Sequence, residues 1–503
     1  MFTPAPISRA LRSVLLLMAF TAVCLAFCPS ITYGYDSGYF TVGRSEGRWW
    51  FVDPYGEIFF STGSNVIHPG GYFAPDLGYS PYHKNIIDIY GSEEAWADVV
   101  LERMDQWNIN TLGGWGDIGL FADSAVYTRV LDLSGADWVH GIVPDYFSQD
   151  FLDRVESICS STVAARADDP NMLGWFLDNE LRWGPDWRTF KDLFSDYFAF
   201  SADAPGKIAL VEFLRDRYDD DIDAFNAAWA TGFVSFDALL DETVISGLPA
   251  TPAQWEDREA FLGLVADQYF DVTTSGVRKY DSNHLVLGCR FVSWLTPSIV
   301  VETSADYLDV ASVNHYRIWP VWMEATQGLR DEIGVVPVDE LNALTAFHEL
   351  TDLPILISEF SIRSMDAGLP NTHPPYWIFL TATTQSERAD IFENIAQTWI
   401  DTDYVIGYHW FAWMDEPESG RFDGENSNFG LVTEEDEPWE ILVERVTEVN
   451  ARVYDWEPPD DDDDDDDTDD DDDDDTVDDD DDDDDSGIDV DDDDDGSGRC
   501  GCG

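Results

Sequence analysis

The sequence predicts a (β/α)₈ barrel with a helical insertion after strand four and a disordered acidic C-terminal tail. Three observations carry that expectation. Eight short apolar, strand-like runs alternate with amphipathic stretches of helical spacing, the pattern of a parallel barrel wrapped by helices. The interval Pro185–Glu259, about 75 residues after the fourth run, is too long for a simple connection and too regular for a bare loop. From Asp460 onward the chain is almost pure aspartate, and like charges at that density cannot collapse.

The N-terminal segment carries Arg9 and Arg12 before the apolar run Val14–Phe27, the layout of an export signal over residues 1–34. That run is too short to favour a membrane-spanning helix. The stretch from Val42 to Ile67 then reads as a β-hairpin turning at Asp53–Gly56, with its second half entering the main domain.

The expected strands are Ile58–Val66, Ile109–Trp115, Trp138–Val143, Met172–Asn179, Leu285–Phe291, Leu308–His315, Ile355–Glu359 and Val405–Trp413. Continuous apolar runs of this length suit strands buried on both faces. Expected helices include Glu93–Trp107, Gln149–Ala167, Gln254–Tyr280, Ser386–Ile400 and Trp439–Val453. The catalytic domain is expected over residues 35–457, with the excursion at Pro185–Glu259 forming helices over the barrel mouth.

Of the chain's 503 residues 44% are hydrophobic, enough for a large core, and there are 20 tryptophans. Indole faces stack well on sugar rings, although tryptophans also serve as core. The formal net charge is −75, of which the tail from Asp460 supplies −28 and the remainder −47. Such a surface repels nucleic acid and anionic membranes, because phosphate contacts need Lys and Arg.

Cys24 and Cys28 fall in the export segment, and Cys500 and Cys502 in the tail. Only Cys159 and Cys289 belong to the folded body, so there is no disulfide framework and no metal-ligand spacing. No Gly-rich phosphate loop, H-E-x-x-H or nucleophilic serine motif stands in a supporting context, so neither cofactor nor metal is expected. The tail is expected to be a solvated spacer. Calcium association is its alternative, without the D-x-D-x-D-G spacing of a calcium loop.

Two of the predicted strands run out into glutamates, Glu180 at the end of GWFLDNE and Glu359 in LISEF, 179 residues apart. A carboxylate where a buried strand runs into a loop is poorly explained by packing. On strands four and seven of one barrel, both would face the cleft at the C-terminal strand ends. Paired carboxylates about 5–5.5 Å apart serve retaining glycoside cleavage, one as acid/base and the other as nucleophile. Asn179, just before Glu180, suits a hydrogen bond to a sugar 2-hydroxyl; a turn-capping asparagine is the plainer reading.

An Asn-Glu pair ending strand four and a Glu ending strand seven resemble clan A of the glycoside hydrolases. GWFLDNELRWG, LGCRF, ISEF and GYHWFAWMDEPESGRFDGENSNFGLV closely resemble family 50, the β-agarases. FLRDRYDDDIDAFNAAWATGF is similar to a helical motif of the family 42 β-galactosidases. The likeness covers roughly Trp49 to Val453. Family 50 usually carries a β-sandwich before the barrel, and here a short hairpin precedes it.

The resemblance implies Glu180 as acid/base and Glu359 as nucleophile, on β-galactosidic bonds of a polysaccharide. It implies His315 and Tyr316 at the end of strand six as groups beside the nucleophile, and Trp410 or Trp413 as the surface beneath the sugar. Asn65, Trp115 and Arg290, at the ends of strands one, two and five, are further substrate-contact candidates. Asp415, Glu416, Arg421, Asp423 and Glu425 form either a sugar-contacting loop or an ion-paired one. The competing expectations are another clan A glycanase or β-galactosidase, and a non-catalytic surface polysaccharide binder. The expected setting is outside a bacterial cell, with the tail as a surface tether.

Overall fold

In the computed structural model, which describes residues 37–456 except 246–248, 318–339, 374 and 376–378, a parallel sheet curls into a ring. Its strands, in chain order, are β4 (Ser61–Ser64), β5 (Thr111–Leu112), β6 (Val126–Val130), β7 (Met172–Phe176), β8 (Leu285–Gly288), β9 (Phe291–Val292), β10 (Ala311–Asn314), β11 (Ile355–Phe360) and β14 (Val405–Trp410). Every pairing among them is parallel, in the order β8-β7-β6-β5-β4-β14-β11-β10-β9. The two ends of that series, β8 and β9, are pieces of one stave interrupted at Cys289–Arg290, so eight staves close the barrel. The export segment and the acidic tail, including the tether reading, lie outside the described residues.

Three antiparallel strands precede the ring, β1 (Thr41–Ser45), β2 (Arg48–Val52) and β3 (Ile58–Phe59), and a separate parallel pair, β12 (Arg363–Ser364) and β13 (Thr381–Ala382), follows β11. The expected turn closes β2 to β3, with Gly56 N–H donating to Asp53 O and Asp53 Oδ1 accepting from Tyr55 and Glu57. A second turn, Glu46–Gly47, links β1 to β2 with both residues at positive φ, 54° and 86°. Phe51 packs with Leu173, Leu287, Leu356 and Ile406 from inside the ring. Buried Arg48 donates to Ile400 O and, at 3.0 Å, to Val405 O, where β14 begins. The small sheet therefore seals the end at which strands start and leaves the other end for the site.

The long interval after strand four holds helices Leu193–Phe198, Pro205–Arg217 and Ile222–Trp229, then the 29-residue helix Pro252–Tyr280. Their starts follow from capping chemistry: Asp192 accepts from Ser195 N–H, Asp221 from Ala224 N–H, and Thr251 from Gln254 N–H ahead of Pro252. Phe194 stacks on Trp229, and Asp257 accepts from both Trp229 Nε1 and the Tyr218 hydroxyl at 2.6 Å. The excursion thus has its own aromatic core.

One expected strand is misplaced. Strand three is Val126–Val130, not Trp138–Val143. The polar Thr128 and Arg129 break the apolar run of the true strand, so it reads weakly. Trp138–Val143 instead belongs to a small hairpin at the mouth, where Asp137 and Ile142 exchange backbone hydrogen bonds of 3.0 and 3.1 Å. Cys159 and Cys289 are both buried and unpaired.

Candidate active site

Asn314, the last residue of β10, stands between the two glutamates. Its Nδ2 donates to Glu180 Oε1 at 3.0 Å and reaches Glu359 Oε2 at 3.4 Å and Asn179 Oδ1 at 3.2 Å. Those two legs put the carboxylate oxygens within about 6.4 Å of each other. The Arg290 guanidinium donates to Glu359 Oε2 and, at 2.8 Å, to Asn179 Oδ1. The Tyr316 hydroxyl donates to Glu359 Oε1 at 2.5 Å. The nominated residues Glu180, Glu359, Asn179, Arg290 and Tyr316 form one connected cluster at the C-terminal strand ends.

The backbone is bent to deliver these side chains. Glu180, Arg290 and Trp115 take left-handed φ of 49°, 53° and 61°, a conformation that costs a non-glycine residue roughly 1–3 kcal/mol and is sustained by its surroundings. Glu180 N–H donates to Cys289 O, and Arg188 Nη2 donates to Glu180 O at 3.0 Å. Just before it, Asp178 accepts from Ser134 Oγ at 2.7 Å and the Tyr269 hydroxyl at 2.6 Å, which anchors the turn. A methyl group at Gly114 would lie 2.9 Å from Arg290 Nη1, so glycine is needed there for the guanidinium to fit.

Burial, then the charge of Glu359, pushes the Glu180 carboxyl up to about 7; the Asn314 bond, Arg188 and Arg290 pull the other way. Burial and the Glu359 charge also raise Tyr316 well above the ordinary phenol range, so its hydroxyl keeps its proton and donates. Near neutral pH Glu180 can therefore still carry a proton, while Glu359 lies against the Arg290 guanidinium. Among the described residues, no group of His, Cys, Asp and Glu is arranged to hold a metal ion.

No family model matches the chain. β-Agarase A of Vibrio sp. strain JT0107 is 28% identical over 473 residues, covering 82% of this chain and 45% of that protein. β-Agarase B of the same strain is 25% identical over 491 residues, covering 83% and 48%. The solved structure of an agarase, AgWH50C, superposes with a TM-score of 0.68 at 26% identity, covering 90% of this chain and 72% of that one. PfGH50B gives 0.69 at 25%, covering 90% and 73%. Over most of its length the chain is similar to these agarases and family 50 structures. It spans about half the length of the curated agarases it matches.

The remaining candidate residues part company. Trp115 sits at the mouth, 37% exposed, with the Arg290 guanidinium 4.6 Å from its ring centre. Asn65 does not face the cleft. It is buried, donates to the carbonyls of Ser358 and Trp410, and accepts from Gly114 N–H and Arg290 Nη1. It braces Arg290. His315 turns outward to pack edge-on against Trp399, and burial lowers it to about 4, so it is neutral at pH 7.

Trp410 and Trp413 are both core. Trp410 donates to Phe429 O and packs edge-on against Phe360; Trp413 is fully buried and stacks on Trp107 at 5.3 Å. The acidic loop is the ion-paired alternative: Arg421 pairs with Glu416, Asp423 and Glu425, and Asp415 accepts from Gly430 N–H and Trp439 Nε1.

Asn314 and Arg188 were not nominated. Asn314 had a readable signal, since alternate residues of a strand share a face, and Tyr316 facing the cleft implies Asn314 rather than His315. Arg188, in an irregular loop, had none.

Proposed function

We propose that this protein is a retaining glycoside hydrolase that cleaves β-galactosidic bonds in an agarose-like galactan. The observation that carries the reading is the Asn314 bridge. One amide nitrogen within 3.0 and 3.4 Å of the two carboxylates holds them as close neighbours, which suits the roughly 5–5.5 Å spacing of a retaining pair better than the wider gap an inverting pair needs to seat a water. The likeness to agarases supports the choice of a galactan.

In this reading Glu180, which burial lets keep its proton up to about pH 7, gives that proton to the glycosidic oxygen as the oxygen leaves the anomeric carbon. A Glu359 oxygen attacks the same carbon and forms a glycosyl ester. Asn314, Arg290 and Tyr316 hold that carboxylate in line. Glu180, now ionised, then takes a proton from water as the water displaces Glu359, which restores both groups and retains the anomer. A galactan polymer is too large to enter a cell, so export through the segment at residues 1–34 belongs to the same proposal, as does surface retention through the tail.

The test compares wild type with Glu359→Gln on agarose, other galactans and β-galactosyl fluoride. Reducing ends from the wild type alone, with a first-formed β product, are expected. Full activity of the variant would sink the nucleophile assignment, an α product the retaining course, and binding without turnover would favour a non-catalytic binder.

A further inference from the structure

The loops following β6 and β7 present aromatic surface beside Glu180. Trp187 is 53% exposed and Phe190 89%, with Val139 and Ile142 also open to solvent. Exposed apolar side chains gathered on neighbouring loops mark a binding surface. The patch is built on fixed supports. The Arg188 guanidinium lies 4.4 Å from the Trp187 ring centre and 5.7 Å from that of Trp138, and the two indoles meet edge-on at 6.3 Å. Arg188 also donates to Trp138 O and Glu180 O, and pairs with Asp186 at 2.5 Å. Arg182 donates to Gly141 O at 2.7 Å. Both loops are thereby tied to each other and to the acid. Trp187 also borders a small depression lined by Leu181, Trp183, Leu295 and Thr296.

We infer that Trp187, carried by Arg188 and flanked by Trp138, is a sugar-stacking subsite for the leaving-group end of the galactan. This rests on the function proposed above. Glu180 protonates the leaving oxygen, so the sugar beyond that oxygen lies on the Glu180 side of the cleft. The two contacts of Arg188 hold the Trp187 ring within about 9 Å of the Glu180 carbonyl oxygen, near enough for a sugar adjoining the cleaved bond. A neutral glycan suits the patch better than a second copy of this chain, because two bodies of net charge −75 repel each other. Indole faces accept the C–H faces of sugars without any charge on the ligand.

The experiment measures kcat/KM of the full chain, Trp187→Ala and Trp187→Phe on agarose oligosaccharides and on β-galactosyl fluoride, whose leaving group fills no sugar subsite. The ratio of oligosaccharide to fluoride activity is expected to fall about tenfold in Trp187→Ala and to recover in Trp187→Phe. Equal losses on both substrates, or no loss, would overturn the subsite. If the wild type hydrolyses neither substrate, the proposed reaction has failed, and retardation in native gels containing agarose then decides the platform. Retardation of the wild type that Trp187→Ala loses supports it; equal mobility of the two proteins refutes it.

Discussion

The Tyr316 hydroxyl donates to Glu359 Oε1 at 2.5 Å, on the oxygen opposite the one that accepts from Arg290. A donor on each oxygen leaves the carboxylate one orientation. Tyr316→Phe removes one donor while keeping the ring that packs on Phe379 and Phe429. A hydrogen bond to a charged group is worth roughly 1.5–3 kcal/mol. The kcat on agarose oligosaccharides is therefore expected to fall about 10- to 100-fold with little change in melting temperature. A wild-type kcat would remove Tyr316 from the reaction.

Glu180 must carry a proton to act as an acid, and its carboxyl sits at about 7. Activity on agarose is expected to fall as pH rises through about 7, and the fall should be shallower for β-galactosyl fluoride. Fluoride leaves without a proton. Glu180→Gln should cost about 10²–10⁴-fold on agarose and markedly less in the first step on the fluoride. Equal losses on the two substrates would contradict the acid role.

Burial of Glu180 also has a stability consequence with a definite sign. Its folded-state value of about 7 exceeds its ordinary 4.5, so its contribution to stability is full below about 4.5 and is lost as pH rises through about 7. Asp178, Asp415, Glu434 and several other buried carboxyls are raised in the same direction, so the wild-type pH profile mixes them all. The difference between Glu180→Gln and wild type isolates one. Melting curves should show the variant gaining on the wild type between pH 5 and pH 8; a constant offset would rule out the buried carboxyl as the cause.

Trp413 tests the reassignment from sugar platform to core. Its indole is fully buried against Trp107. Truncating a buried tryptophan costs about 3–5 kcal/mol. Denaturant unfolding of Trp413→Ala should show that loss, a large part of a typical domain's stability. An unchanged midpoint would return Trp413 to the list of substrate contacts.

The expected ranges overlap seven of the eight staves, most of them written as the continuous apolar run that burial on both faces requires. Strand three was not legible, because Val126–Val130 carries Thr128 and Arg129 while the mouth hairpin at Trp138–Val143 is apolar in sequence. The two glutamates were legible because a carboxylate ending such a run has no packing explanation. Trp410 and Trp413 looked like sugar platforms for the opposite reason: an indole suits a core and a cleft equally well, and no local pattern separates them.

The sequence by itself determined the barrel, the helical excursion and the placing of Glu180 and Glu359 at strand ends, since each follows from local apolar spacing. Only the tertiary structure decided the rest. Whether Asn314 bridges the carboxylates, Asn65 braces Arg290, and Arg188 joins the acid to Trp187 depends on side-chain direction across strands and loops far apart in the chain. Those directions are set by closure of the ring, which no single segment records.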